Sequence, residues 1–180
     1  NGKKVEFSYN EYGVDKALHL RKNKEGEVKG LLKAAGLDPS LLLGIKPCPM
    51  RHSYRNKMEY TFGDLVKGGE MTLGMHKKGN FMSIVTVDNC QLVHPDFNKV
   101  LSATLEHCIS KGYSLCNKKT HQGLLRNLIL RRGVSTNELL VNIVTTSDEY
   151  AGMRFDEQAY ADLICGLDLS LDVVGVLRTI

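Results

Sequence analysis

Three runs in the middle of this chain, Lys57 to Gly63, Glu70 to His76 and Met82 to Val87, set the strongest limit on its fold. In the first, Met58, Tyr60 and Phe62 alternate with Glu59 and Thr61, the period-2 pattern of a strand with one buried face. The runs are separated by Lys67-Gly68-Gly69 and Lys77-Lys78-Gly79-Asn80, both turn sequences, so two hairpins in series are expected. Ahead of the first run stands Ser53-Tyr54-Arg55-Asn56-Lys57, which puts Arg55 and Lys57 together near the strand's entry. One reading of these cations is a solvated edge strand guarded against edge-to-edge pairing.

A second basic strand opens another reading. From Leu124 to Arg132, residues Arg126, Leu128 and Leu130 share one face while Asn127, Ile129 and Arg131 share the other, and neither face is purely apolar. With Glu138 to Thr145 this run is expected to form a hairpin through Gly133-Val134-Ser135-Thr136-Asn137. An arginine near a strand end can snorkel into water. Alternatively Arg126, Arg131 and Arg132, with Arg55 and Lys57, form a surface for phosphates, which holds a nucleic acid without reading its sequence.

Charge distribution bears on that choice more than the net charge of +4 does. Lys111 to Asn137 carries six basic residues and no acid, and Ile45 to Lys57 carries Lys46, Arg51, Arg55 and Lys57 and no acid. Asp148 to Asp172 holds seven acids against Arg154 alone, so one cationic and one anionic face are expected.

Helical spacing appears in three places. Val28, Leu31, Leu32 and Ala35 predict a helix near Lys24 to Ala35, capped by Gly36. Pro95 opens a second, with Phe97, Val100, Leu101, Leu105, Cys108 and Ile109 as its buried stripe and Gly112 as its end. A third spans about Asp156 to Cys165, ahead of a last strand, Leu171 to Leu177. A short strand-like piece at Lys4 to Ser8 and a Pro-rich connector from Leu41 to Ser53 complete the pattern, and the apolar final strand suggests that the natural protein continues. The expected fold is α+β: an antiparallel or mixed β-sheet, helices packed on one face, and a protruding β-hairpin around Lys77. With no apolar run of the roughly 18 residues that cross a bilayer, and no apolar signal core, the expectation is a cytoplasmic protein with no membrane partner.

No complete catalytic motif is present: no Gly-x-Gly-x-x-Gly after a strand, no Walker loop, no His-Glu-x-x-His, no Gly-x-Ser-x-Gly. Five cysteines, an odd number without a Cys-x-x-Cys pair, point to reduced thiols and to no self-contained metal site. His76 and His121 lie beside lysines, open to a phosphate or base contact or to a structural role. Tyr54, Tyr60, Phe81 and Tyr113 are candidates to stack on unpaired bases.

Taken together, Tyr54-Arg55-Asn56-Lys57-Met58-Glu59-Tyr60, Leu73-Gly74-Met75-His76-Lys77-Lys78-Gly79, Cys90-Gln91-Leu92-Val93-His94-Pro95, Gly123-Leu124-Leu125-Arg126 to Arg131 and Glu138-Leu139-Leu140-Val141 resemble the central domain of RNA uracil-5-methyltransferases. Order and spacing agree from about Val28 to Ile180. The resemblance implies S-adenosylmethionine-dependent formation of 5-methyluridine in ribosomal or transfer RNA by the parent enzyme. It also implies a separate Rossmann-like domain, absent here, which binds the methyl donor and carries the cysteine nucleophile and glutamate base. On that reading residues 1–40 are a divergent amino-terminal segment, residues 41–180 are the RNA-holding domain, and the fragment alone is inactive. Its expected RNA contacts are Arg55, Lys57, His76, Lys77, Lys78, Arg126, Arg131 and Arg132. Cys90 matches one ligand of the 4Fe-4S cluster of some members, but Tyr9 to Glu27 lacks the other cysteines, so no cluster is expected. The alternative is a structural insert that packs on the catalytic domain in cis without touching RNA.

Overall fold

Alternation along the sequence becomes alternation in space. In the computed structural model, which describes residues 14–46, 50, 52–117, 120, 122–147 and 149–180 (14–21 by backbone only), Met58, Tyr60 and Phe62 are buried and Lys57 and Glu59 are exposed. The expected strand at Lys4 to Ser8 lies outside the described residues, as do Cys48, Arg51, Lys118, Lys119 and His121. The chain divides into two compact units, Asn1–Pro49 and Met50–Ile180.

The first unit holds helix α1, Val14–Ala34, which starts upstream of the Lys24 that the spacing predicts. Gly36 ends it in a left-handed conformation (φ 73°), and the amide of Leu37 closes back onto the Leu32 carbonyl at 2.9 Å. Leu31 remains 71% exposed, so the apolar stripe is only partly covered within this unit. A 3-10 turn, Pro39–Leu41, follows. No described helix is long and apolar enough to cross a membrane.

The second unit is built on a six-stranded sheet of β1 (Lys57–Asp64), β2 (Met71–Lys77), β3 (Asn80–Thr86), β4 (Leu125–Gly133), β5 (Glu138–Thr145) and β8 (Asp172–Thr179). Their spatial order is β3-β2-β1-β4-β5-β8, and only the β5–β8 pairing is parallel. The α+β fold with a mixed sheet is therefore as expected. What the sequence did not announce is the small hairpin of β6 (Glu149–Tyr150) and β7 (Met153–Arg154), turned through Ala151 and Gly152, both at positive φ. Strands two residues long carry no readable period.

One face of the sheet is sealed. Helix α2 (Pro95–Ser110) buries Phe97, Val100, Leu101, Thr104 and Cys108, and helix α3 (Glu157–Cys165) buries Tyr160 and Ile164. These join Tyr60, Leu73, Leu128, Leu130, Leu139, Val141 and Ile143 from the strands in one core. Pro95 sits in the first turn of α2, where its missing amide costs nothing, and the Nδ1 of His94 accepts from the Asp96 amide at 3.3 Å as N-cap. Asp96, 2% exposed, accepts from the Ser170 amide (2.8 Å), the Ser170 hydroxyl (3.0 Å) and the Leu171 amide (2.8 Å), fixing the entry of β8 to α2. Burial alone would raise its pKa, yet these hydrogen bonds and His94 hold it below the usual carboxylate value.

The other face is partly covered by the sheet itself. An added Cβ on Gly74 would lie 2.0 Å from the Val85 carbonyl oxygen, and one on Gly63 would lie 2.4 Å from Cγ1 of Ile84. Glycine at these two positions lets β3 close in on its neighbours, leaving the face open chiefly along β1, β4, β5 and β8.

Candidate nucleic-acid interface

Register decides which cations meet. In the β1–β4 ladder Lys57 is directly opposite Arg131, and Glu59 is opposite Ile129, all on the open face. Directly opposed residues have Cβ atoms about 5 Å apart, so the ammonium and guanidinium groups can act on one ligand. Beside them is a cavity of about 270 Å³ lined by Asn56, Lys57, Arg131, Arg132, Gly133, Glu138, Leu140 and Val174. Arg131 is exposed and its guanidinium makes no hydrogen bond or ion pair with any described residue, whereas Lys57 reaches Glu59 at 3.7 Å across a solvated pair. Such a pair is weak and screened by salt, so it does not withdraw Lys57 from a stronger anion. The one acid among the cavity's lining residues, Glu138, accepts from the Thr136 hydroxyl at 2.6 Å.

The antiparallel ladders gather further cations at this end of the sheet. Because β2 runs back toward the start of β1, the turn that carries Lys77 and Lys78, both exposed, lies at the same end as Lys57, Arg131 and Gly133. Arg55 is also there, its amide bonded to the Leu92 carbonyl at 2.9 Å and its guanidinium Nη1 3.7 Å from the sulfur of Met58. Arg132, next in line after Arg131, alternates to the opposite face. Its amide donates to the Asn56 carbonyl at 2.7 Å, and its Nε is buried without a partner among the described residues. Its charge also reaches His94: burial holds that imidazole below its ordinary pKa against the pull of Asp96, and Arg132 and Lys99 add to the effect.

Arg126 is placed apart. It stands at the far end of β4, five residues from Arg131, or about 16 Å at strand rise. A register shift between Leu125 and Asn127 takes it out of the alternation and leaves it exposed, which is why Leu128 and Leu130 can share a clean apolar face after all.

Of the four aromatic candidates, Tyr60 (0% exposed) and Tyr113 (4%) belong to the core and cannot stack on a base. Tyr54 and Phe81 are exposed, and the ring of Phe81 lies flat against His76, 4.2 Å between centroids and 7° between planes. The cavity-lining Asn56 and Gly133 escaped the sequence reading, since nothing in their local pattern distinguishes them from turn residues.

Cys90 is half-buried in the turn before α2, bracketed by Asn98, whose side chain accepts from its amide and donates to its carbonyl, both at 3.2 Å. Among the described residues no three His, Cys, Asp or Glu side chains gather as a metal ion requires. Burial pushes the Cys108 thiol up to about 12, the behaviour of a small core residue.

Against known proteins, no family model matches the chain. It is 41% identical over 157 residues to a Clostridium tetani protein named an uncharacterized RNA methyltransferase, covering 87% of this chain and 34% of that protein. A Caldanaerobacter subterraneus protein with the same description is 40% identical over 158 residues, covering 88% of this chain and 34% of its own length. The chain thus spans about a third of the length of the curated relatives it matches. Among solved structures, the fold is shared with Pyrococcus abyssi tRNA (uracil-54, C5)-methyltransferase in complex with S-adenosyl-L-homocysteine, at a TM-score of 0.57 and 22% identity, over 86% of this chain and 34% of that one.

Proposed function

We propose that this chain, a relative of the RNA methyltransferases across about a third of their length, holds RNA at the cationic end of its sheet so that a uridine can be methylated at C5. The observation that carries the reading is the Lys57–Arg131 pair, set face to face beside a cavity at the end where Arg55, Lys77 and Lys78 also lie. Phosphates are the ligand this arrangement suits, because two cations on a rigid ladder can share one phosphodiester without further ordering. S-adenosylmethionine supplies the methyl group when bound, and the residues that would hold it and perform the transfer belong to the portion of the relatives that this chain does not match. The substrate is a ribosomal or transfer RNA.

A filter-binding titration of the chain against single-stranded RNA tests this. Affinity is expected to fall steeply as salt rises, and Lys57→Ala with Arg131→Ala to weaken binding about tenfold or more at low salt while reducing the salt slope by about two. Binding that ignores salt, or ignores that double substitution, would sink the proposal.

A second reading has support along the edge of the sheet, where Val174 also lines that cavity. Val174 (57% exposed) and Leu177 (48%) lie on edge strand β8, a surface suited to packing against a further domain in cis. Crosslinking a full-length relative to its RNA separates the two, since the purely structural reading predicts no adducts in the region around Lys57 and Arg131.

A further inference from the structure

We propose that Phe81, seated on His76 at the tip of the β2–β3 hairpin, is a stacking platform for an unpaired RNA base; the inference rests on the RNA reading above and names an element of recognition that phosphate contacts do not supply.

Phe81 is 65% exposed, whereas phenylalanine is among the residue types most often buried. Its plane is nonetheless fixed. His76 stacks on it at 7°, and the Nδ1 of His76 lies 2.6 Å from the Phe81 carbonyl oxygen, which requires that nitrogen to be the protonated donor. The turn beneath is braced as well: Gly79 takes φ 80°, the Asn80 side-chain Nδ2 donates to the Ser83 hydroxyl at 2.8 Å, and the Met82 backbone amide donates to Asn80 Oδ1 at 3.1 Å. A ring held this way gives up little freedom when a base settles on it, so most of the stacking energy is retained.

The partner's chemistry follows from charge. From Met71 to Val87 the hairpin carries Lys77, Lys78 and His76 and no acid, so a polyanion is drawn to it. His76 alternates with Gly74 and Thr72 onto the open face, where Lys57 and Arg131 stand, and the tip lies at their end of the sheet. A strand whose phosphates cross those two cations can therefore turn a base toward Phe81. Every base has a π-face, so the platform selects unpaired nucleotides over duplex rather than one base over another.

The experiment uses the whole 180-residue chain and a short oligouridylate carrying a single 2-aminopurine, whose fluorescence falls when it stacks. Wild type is expected to quench the probe. Phe81→Ala should weaken binding about 5–10-fold and abolish the quench while leaving the salt slope unchanged, because no phosphate contact is lost. Phe81→Trp should restore both, whereas Phe81→Leu, which keeps apolar area but no ring, should not. If Phe81→Ala or Phe81→Leu binds and quenches like wild type while Lys57→Ala with Arg131→Ala still weakens binding, the platform is wrong and the phosphate surface stands. If wild type binds no RNA at low salt, both fall. A hairpin tip that serves a protein partner instead would show the same binding in all Phe81 variants, which also overturns the platform.

Discussion

Arg178 and Arg131 lie at opposite ends of the same sheet and have opposite fates. Arg178, its side chain 8% exposed, donates from Nε to the Thr145 hydroxyl at 3.1 Å and from Nη2 to the Ser147 carbonyl at 2.6 Å. It also pairs with Glu157 and lies over the Phe155 ring, 5.5 Å from its centroid. Arg131 projects from the open face with no described partner, beside Lys57. The residue type is identical, and the difference lies in the acceptors the fold supplies. Past β5 the chain folds back through Ser147 and α3, bringing a carbonyl and a carboxylate to Arg178. At the other end the one deeply buried acid among the described residues, Asp96, already has an oxygen committed to Ser170 and Leu171. A cation is available to a ligand where the acids beside it are solvated, as Glu59 is, or bonded to another group, as Glu138 is to Thr136.

That contrast can be broken in order of expected effect. Asp96→Ala should destabilise the chain most, by about 3 kcal/mol in urea titration, because it leaves buried amides without an acceptor. A loss below about 1 kcal/mol would mean that the basic end is not organised by this carboxylate. Arg178→Ala should cost about 2 kcal/mol through lost charged hydrogen bonds and packing on Phe155. Next comes pH. His94 and His107 are both held below their ordinary pKa, chiefly by burial, so the fold favours their neutral forms. The stability they contribute is complete above about pH 6.5 and is lost as pH falls below that value, while Asp96 adds a further loss only as pH drops below the ordinary carboxylate range. His94→Asn, which keeps an N-cap, should flatten the upper part of a plot of midpoint against pH, and an unchanged plot would remove His94 from the account. Smallest of all, Arg131→Ala should change stability by less than about 0.5 kcal/mol. An equal loss for Arg131→Ala and Arg178→Ala would erase the distinction between the two ends.

Much of this architecture was legible in the residues. Strand-like runs between turn signals located all six long strands, with period-2 alternation plain in β1, and Pro95 and Gly112 bounded α2, because burial on one face and capping leave local marks. The fates of the arginines did not. Alternation puts Arg126 on the face of Leu128 and Leu130, and only a register shift between Leu125 and Asn127, set by pairing with β5, takes it off that face. Tyr60 falls on the buried side of the Met58, Tyr60, Phe62 alternation, and the assembled sheet leaves it no surface on which a base could stack. Asp96 looks like an ordinary first-turn acid, since its partners Ser170 and Leu171 are more than seventy residues away. What pairing at long range decides, local pattern cannot reveal.

The strand order carries a kinetic consequence. Each outer pairing in the antiparallel part of the sheet joins neighbours in sequence, but the central seam joins β1 to β4, where the Asn127 side chain meets the Tyr60 carbonyl across 67 residues. Closing that loop costs entropy before any contact rewards it, so the β2–β3 and β4–β5 hairpins are expected to assemble early and the seam late. Lys57 and Arg131 straddle this seam. Their juxtaposition thus comes into being only with the slowest step of folding, and a polyanion that grips both would draw the last-formed part of the molecule shut.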